Sequence, residues 1–211
     1  MRTLCLFLAV AALAAPAEPA RPGSEPRIIF SKSFPGSTPP FIQISVEKNG
    51  AAEYREDPKD DAPLKFQLTE AESAAIFALA DKLDHFSRPL ESGLKVANMG
   101  MKTFRFEGGD GQPHETKFNY SNDLDAKALA DWFERISESE RAYIDLERAV
   151  RFDKLGVQDA ILRIEIFRDQ KRLIGEKQFL PMLDRVANNE SYMRMARSRA
   201  AALAESIRAV K

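Results

Sequence analysis

Pro40-Phe41-Ile42-Gln43-Ile44-Ser45-Val46-Glu47-Lys48-Asn49-Gly50-Ala51-Ala52-Glu53-Tyr54 decides the fold class. Ile42, Ile44 and Val46 alternate with other residues, and Ala52 and Tyr54 do so beyond Asn49-Gly50, a pair that supplies the positive φ a tight turn requires. Two antiparallel strands with one buried face are the expected result. Outward from this hairpin, Ile28 and Phe30 on one side and Leu64, Phe66 and Leu68 on the other keep the period of two, which makes four strands. The period changes at Thr69-Glu70-Ala71-Glu72, a capping box followed by Ile76, Leu79, Ala80 and Leu83 at helical spacing. A helix from about Glu70 to Asp84 is expected.

After a loop rich in Pro, Gly and Ser, Phe104 and Phe106 and then Phe118 and Tyr120 alternate again around Gly108-Gly109-Asp110-Gly111, a second hairpin. Ser121 to Asp125 offers caps for a helix carrying Leu129, Trp132, Phe133 and Ile136. Ser137-Glu138-Ser139-Glu140 reads as another capping box, opening a new helix that carries Tyr143, Ile144, Leu146, Val150 and Leu155 and ends at an αL glycine, Gly156. Further helices are expected over Val157 to Leu173, around Phe179 to Ala187, and from Glu190 onward, joined by short links. The fold class is therefore α+β: an antiparallel sheet module over residues 27–137, of order β4-α-β2-α, followed by a C-terminal helical extension of three to four helices over residues 138–211.

Residues 1–17 read as a signal peptide, with Arg2, an apolar run from Leu4 to Ala15, and the small residues and prolines Ala14 to Ala17 and Pro19 at the cleavage region. Pro16 and Glu18 break the run well short of the roughly 20 residues a bilayer span needs, so no stable membrane anchor is expected. Residues 18–26 form a linker, and the mature chain is expected in the periplasm or secreted. The single cysteine, Cys5, lies in the leader, and its removal leaves neither disulfides, thiolate metal sites nor a cysteine nucleophile. About 190 residues remain, enough at ~70% burial for a core without staples. The 31 Lys and Arg are matched by 32 Asp and Glu, interspersed along the chain, which argues against a nucleic-acid partner.

Chemistry-bearing patterns are sparse. His85 sits at the end of a predicted helix and His114 on a hairpin rim, and there is no Gly-x-Ser-x-Gly and no His-Glu-x-x-His. Ser92-Gly93-Leu94-Lys95 matches Ser-x-x-Lys, but Pro89 and Gly93 make it a loop without the Lys-Thr-Gly strand that chemistry needs. Met99-Gly100-Met101 and Met193-Arg194-Met195 carry thioethers suited to Cu(I), yet methionine is an ordinary core filler and core packing is expected for both pairs. Glu56 to Asp61 and Gly108 to Gly111 lack the order of a calcium loop and read as solvated turns. In the last helix Ala196, Ala200, Leu203 and Ile207 form a stripe too small for membrane anchoring, which should pack on a neighbouring helix. No cofactor, metal or catalytic residue is expected from these patterns.

Ile29-Phe30-Ser31-Lys32-Ser33-Phe34-Pro35-Gly36, the strand pair Pro40 to Tyr54 and the capped helix ending Leu83-Asp84-His85-Phe86 resemble a group of small exported bacterial proteins with no assigned activity, and Leu146 to Gly156 resembles the C-terminal part of their longer versions. The same order of elements is similar to emfourin, a proteinaceous inhibitor of thermolysin-like metallopeptidases. The shared points are a first strand leading into Phe-Pro-Gly, a capped helix ending in Phe, and a Gly-rich hairpin with a following helix. This chain carries Lys32-Ser33-Phe34 where that family has Gly-Gly-Phe, and its helical tail is extra. The resemblance implies an exposed binding loop comprising Ser33, Phe34, Pro35, Gly36, Pro39, Pro40 and Phe41.

The functional expectation is an exported, non-enzymatic binding or scaffold module whose partner is another exported protein, because no nucleophile, base and oxyanion donor converge in the sequence. A peptidase inhibitor is the narrower alternative. A hydrolase using carboxylates such as Asp81, Asp84 and Glu91 is the remaining one, for which spacing in sequence gives no pairing.

Overall fold

A computed structural model describes residues 25–108 and 112–209. The expected signal peptide, most of the expected linker, Gly109 to Gly111 of the expected second hairpin, and Val210 and Lys211 lie outside the described residues. The strands are β1 (Arg27–Ser33), β2 (Phe41–Glu47), β3 (Ala51–Arg55) and β4 (Leu64–Gln67), then β5 (Met101–Glu107) and β6 (His114–Phe118) after the helix α1 (Glu70–Lys82). They form one antiparallel sheet in the order β4-β3-β2-β1-β5-β6. Four helices complete the α+β fold: α2 (Leu124–Phe152), α3 (Val157–Asp169), α4 (Leu180–Ala187) and α5 (Arg194–Ala209).

The central strand β1 pairs Phe30 with Ile44 of β2 and with Phe104 of β5, so alternation turns all three side chains to the face covered by helices. Phe30 stacks on Phe133 of α2 with ring centroids 4.8 Å apart and planes 8° from parallel. The opposite face, with Arg27, Ser31, Gln43, Glu53, Arg55, Arg105 and Glu115, is polar. Tyr120, expected to extend the last strand, lies beyond it.

The first hairpin has a three-residue loop, Lys48 to Gly50, in which only Gly50 takes a positive φ, +86°. The Gly50 N–H donates to the Glu47 carbonyl at 2.9 Å, a turn followed by an αL glycine rather than two residues of positive φ. A Cβ on Gly50 would stand 2.7 Å from Gln67 Nε2 and 2.8 Å from the Leu68 carbonyl.

Thr69 caps α1 as the sequence predicts: its hydroxyl accepts from the Glu72 N–H, and Glu72 Oε2 accepts from the Thr69 N–H. The helix stops at Lys82, short of Asp84, because Asp84, His85 and Phe86 take left-handed backbone values of φ 51°, 50° and 68°. Each such residue costs roughly 1–2 kcal/mol. Burial of Leu83 and Phe86, the latter 5.1 Å from the Phe104 ring, holds the turn in place. His85 is thereby carried off the helix axis onto Phe106, at 4.2 Å, with Nε2 2.8 Å from Asp81 Oδ1.

The expected helix start at Ser137 is not formed. α2 runs unbroken for 29 residues from its Asp123 cap, because Leu129, Phe133, Ile136 and Glu140 keep one helical phase through the serines. Ser139 Oγ donates to the Arg135 carbonyl one turn back and accepts from the Ile174 N–H, so its hydroxyl fastens a neighbouring segment instead of capping. Gly156 is not an αL residue either. With φ −70° it precedes α3, and its N–H donates to Asp153 Oδ1 at 3.0 Å. α3 ends at Asp169, before Leu173, where Lys171 reverses the chain at φ 57°. α5 begins at Arg194 rather than Glu190, since residues 189–193 form a turn in which Tyr192 N donates to the Asn189 carbonyl.

Two buried clusters share α2. Leu129, Phe133 and Ile136 belong to the sheet core, while Ala142, Leu146 and Val150 belong to a helical core with Ile161, Ile164, Phe179, Leu183 and the α5 stripe Ala196, Ala200, Leu203 and Ile207. That stripe packs on helices, as expected. Where the clusters meet, Glu140 is fully buried, one carboxyl oxygen accepting from Gln178 Nε2 at 2.7 Å and the other without a partner. Burial pushes its carboxyl up to about 8, only partly opposed by Gln178.

Between the ordinary carboxyl value of 4.5 and about 8, the native Glu140 keeps a proton that the unfolded chain releases, so stability falls as pH rises across that window. The loss approaches about 1.4 kcal/mol per pH unit and is complete above pH 8. Glu140→Gln is expected to flatten denaturant-measured stability across the window; an unchanged slope would contradict this origin. Gly50→Ala should cost roughly 2 kcal/mol or more in the same measurement, from the strained φ and the overlap with Leu68.

Candidate functional site

β1 ends where Ser33 opposes both Phe41 and Met101, and this register brings two loops to one end of the sheet. The first, Phe34 to Pro40, is closed by its own backbone: Phe34 N donates to the Pro40 carbonyl at 2.8 Å and Ser37 N to the Phe34 carbonyl at 3.0 Å. Ser37 Oγ adds donation to the Phe34 and Pro39 carbonyls, Gly36 takes φ +89°, and the Thr38–Pro39 peptide is cis. Ser33, Pro35, Gly36 and Pro40 are exposed, while Phe34, Pro39 and Phe41 are half-buried. All seven residues singled out from the sequence thus lie in one closed loop and its two flanking strand ends.

The second loop, with the first residue of β5, carries apolar side chains to which the sequence reading gave no binding role. Leu94, Val96, Met99 and Met101 are 55%, 39%, 50% and 47% exposed. The expectation of core packing for both methionine pairs is overturned, since Met193 and Met195 are also 43% and 60% exposed. Their neighbours hold them out. Asn119 is the clamp: its side-chain amide donates to the Ala97 carbonyl at 3.0 Å, its Oδ1 accepts from Met99 N at 2.7 Å, and its own N–H donates to Glu91 Oε2 at 2.6 Å. Ser92 N donates to the Tyr120 carbonyl at 2.8 Å, which fixes the other limb. The Asn98 side chain turns the chain into Gly100, at φ +91°, whose missing Cβ would lie 3.0 Å from Phe34 Cβ. The loops touch there, and they present apolar side chains from fixed backbones. The missed signal was local: two methionines astride a glycine, outside any run with helical or strand period.

Beneath the loops lies charge. Lys32 and Lys102 are directly opposite in the β1–β5 register, Lys32 Nζ 3.2 Å from Glu134 Oε1 and Lys102 nearly buried with Nζ 3.2 Å from the Asn119 carbonyl. Burial, helped by the Lys32 charge, draws the Lys102 ammonium below the usual lysine range. Arg141 of α2 lines the same region, with Nε 3.9 Å from Glu56 Oε1.

The other chemistry-bearing residues are dispersed. Asp81 pairs with His85, Asp84 lies 3.6 Å from Arg88, and Glu91 accepts from the Asn119 and Ser92 N–H groups, which hold it below the ordinary carboxylate range. Ser92 Oγ donates to Glu91 and accepts from Leu94 N, as part of a loop. His114 is paired with Phe106, five residues along β5 from Met101, so thioethers and imidazole do not share a site. Asp57 and Asp60 accept from the Lys59 and Ala62 N–H groups as turn residues. Among the described residues no three His, Cys, Asp or Glu side chains gather as metal ligands, and no helix is long and apolar enough to cross a membrane. A groove of about 1000 Å³ where α1 meets the helical core is lined in part by groups already paired, Arg168 with Glu176 and Thr69 with Glu72.

No protein-family model matches the sequence, and a search of curated proteins gives no match.

Asn119→Ala is expected to free the Glu91–Met99 limb, costing about 1–2 kcal/mol in global stability. Amide exchange at Met99 should quicken far more than exchange in the sheet, and equal quickening everywhere would mean the clamp is not local.

Proposed function

We propose that this chain is an exported, non-enzymatic binding module that recognises another exported protein through the paired loops at the Ser33–Phe41 end of the sheet. The observation that carries this reading is the exposure of Leu94, Val96 and Met99 on a loop fixed at both limbs, and of Met101 at the strand end that follows, seated against the Pro-rich loop. Exposed apolar side chains on a fixed backbone lose little conformational entropy on binding, which is the economy of a recognition surface. Methionine adds adaptability to the shape of its partner. A peptidase inhibitor is the narrower form of the same reading, favoured by the internal hydrogen bonds that close Phe34 to Pro40, since an inhibitory loop must resist rearrangement. The carboxylates Asp81, Asp84 and Glu91 support a hydrolase poorly, because each is engaged with a different partner and Glu91 is held ionised, the reverse of a general acid.

The test is retention from envelope and secreted extracts by the chain without its leader, compared with Met99→Asp/Met101→Asp and with Met195→Asp, a change on α5. A partner retained by the parent and by Met195→Asp, and reduced at least tenfold by the double variant, is the expected result. Equal retention by all three would sink the reading. If the retained protein is a metallopeptidase, the same panel measured as inhibition of its activity distinguishes an inhibitor from a binder.

A further inference from the structure

Behind the Pro-rich loop, where the sheet core runs out past Ile42, lies a cavity of about 170 Å³ lined by Lys32, Arg141, Thr38, Ser137, Phe34 and Pro39. We propose that this cavity is a carboxylate-binding site. Two cations line it, and one of them has no hydrogen-bonded acid among the described residues. Lys32 and Lys102 oppose each other directly across β1 and β5, an arrangement that repels, and Lys102 is 8% exposed with its ammonium hydrogen-bonded to the Asn119 and Gly100 carbonyls. Arg141 brings a third cation whose guanidinium makes no hydrogen bond to a described residue and stands 3.9 Å from Glu56 at its nearest ion pair. Glu134 answers Lys32, while Glu56, the acid facing Arg141, already accepts through its Oε1 from the Tyr54 hydroxyl at 2.8 Å, which leaves the Arg141 guanidinium without a hydrogen-bonded carboxylate.

A single anion in the cavity would lie between the two cations that line it, Lys32 and Arg141. A guanidinium offers parallel donors that match the two oxygens of a carboxylate, and Lys32 supplies a second charge on the other wall. The remaining lining from Phe34, Pro39 and Ile42 is apolar, which suits an acid carried on an apolar stem. Ser37 is not a donor to it, since its proton is engaged with the Phe34 and Pro39 carbonyls. The carboxylate comes either from an acidic side chain or terminus of the protein partner or from a free small organic acid. Only the first of these rests on the binding reading above.

The experiment titrates the isotope-labelled chain with acetate and with N-acetyl-leucine at constant ionic strength, followed by NMR and by melting temperature. Acetamide and N-acetyl-leucinamide serve as neutral matches. Saturable shifts at Thr38, Ser137 and Arg141 with the acids and not the amides, together with a raised melting temperature, are the expected result. Arg141→Ala and Lys32→Met, the latter keeping the stem that packs near Gly100, should each weaken N-acetyl-leucine binding about tenfold or more. Arg141 is an exposed residue, so its variant should melt with the parent in the absence of ligand. Equal shifts from acid and amide, unchanged binding in Arg141→Ala, or tighter binding of inorganic phosphate than of either carboxylate would overturn the assignment. Retention of the protein partner by Arg141→Ala identifies the source: a loss places the carboxylate on the partner, and full retention alongside intact N-acetyl-leucine binding by the parent chain assigns the site to a free acid. Because the small-molecule titration needs no partner, the carboxylate site and the protein-binding reading fail or stand separately.

Discussion

Everything in this molecule depends on α2 remaining helical through Ser137 to Glu140. Its first half closes the sheet core with Leu129, Phe133 and Ile136, and its second half founds the helical core with Leu146 and Val150. The same turn of helix delivers Ser137 and Arg141 to the loop end of the sheet. Polar residues at that crossing are bound to specific neighbours: Ser139 to Ile174, Glu140 to Gln178, and Glu138 to the Arg172 guanidinium through both carboxyl oxygens. A buried carboxyl there is tolerable because burial favours its neutral form. From α1, Glu72 reaches the same crossing, its second oxygen accepting from Gly175 N, so one side chain serves both as helix cap and as tie between the cores.

The legible parts of the fold were those governed by local periods. Ile42 to Tyr54 alternates because one face is buried, and Thr69 to Glu72 encodes its cap in four residues. Ser137-Glu138-Ser139-Glu140 has the same letters as a cap and forms none, because a cap needs the capping residue itself to leave helical geometry, and Ser137 follows Ile136 inside α2. Ile136 has no reason to leave it when Phe133 and Glu140 share its buried face. The left-handed turn at Asp84 to Phe86 was equally hidden, since its strain is offset by tertiary burial of Leu83 and Phe86 that no short window displays.

Half of the candidate site was readable and half was not, for a related reason. Phe34-Pro35-Gly36 and Thr38-Pro39-Pro40 announce a loop by backbone chemistry. Met99 and Met101 announce nothing, because a thioether is at home in a core or on a surface, and Asn119, twenty residues away, determines which. The opposed Lys32 and Lys102 emerge only from register, as the two strands are separated by three others and a helix in sequence.

The turn at Asn49-Gly50 also bears on the chemical lifetime of the protein. Asn-Gly is the dipeptide in which the glycine nitrogen most easily attacks the asparagine side chain, closing a ring that reopens to isoaspartate. Here the Gly50 N–H is committed to the Glu47 carbonyl, and Asn49 Oδ1 to the Ala51 N–H at 2.8 Å. Ring closure would require both bonds to break. The hairpin that sets the register of β2 and β3 is thus also a shield against covalent ageing, and isoaspartate at residue 49 would record how often the hairpin opens.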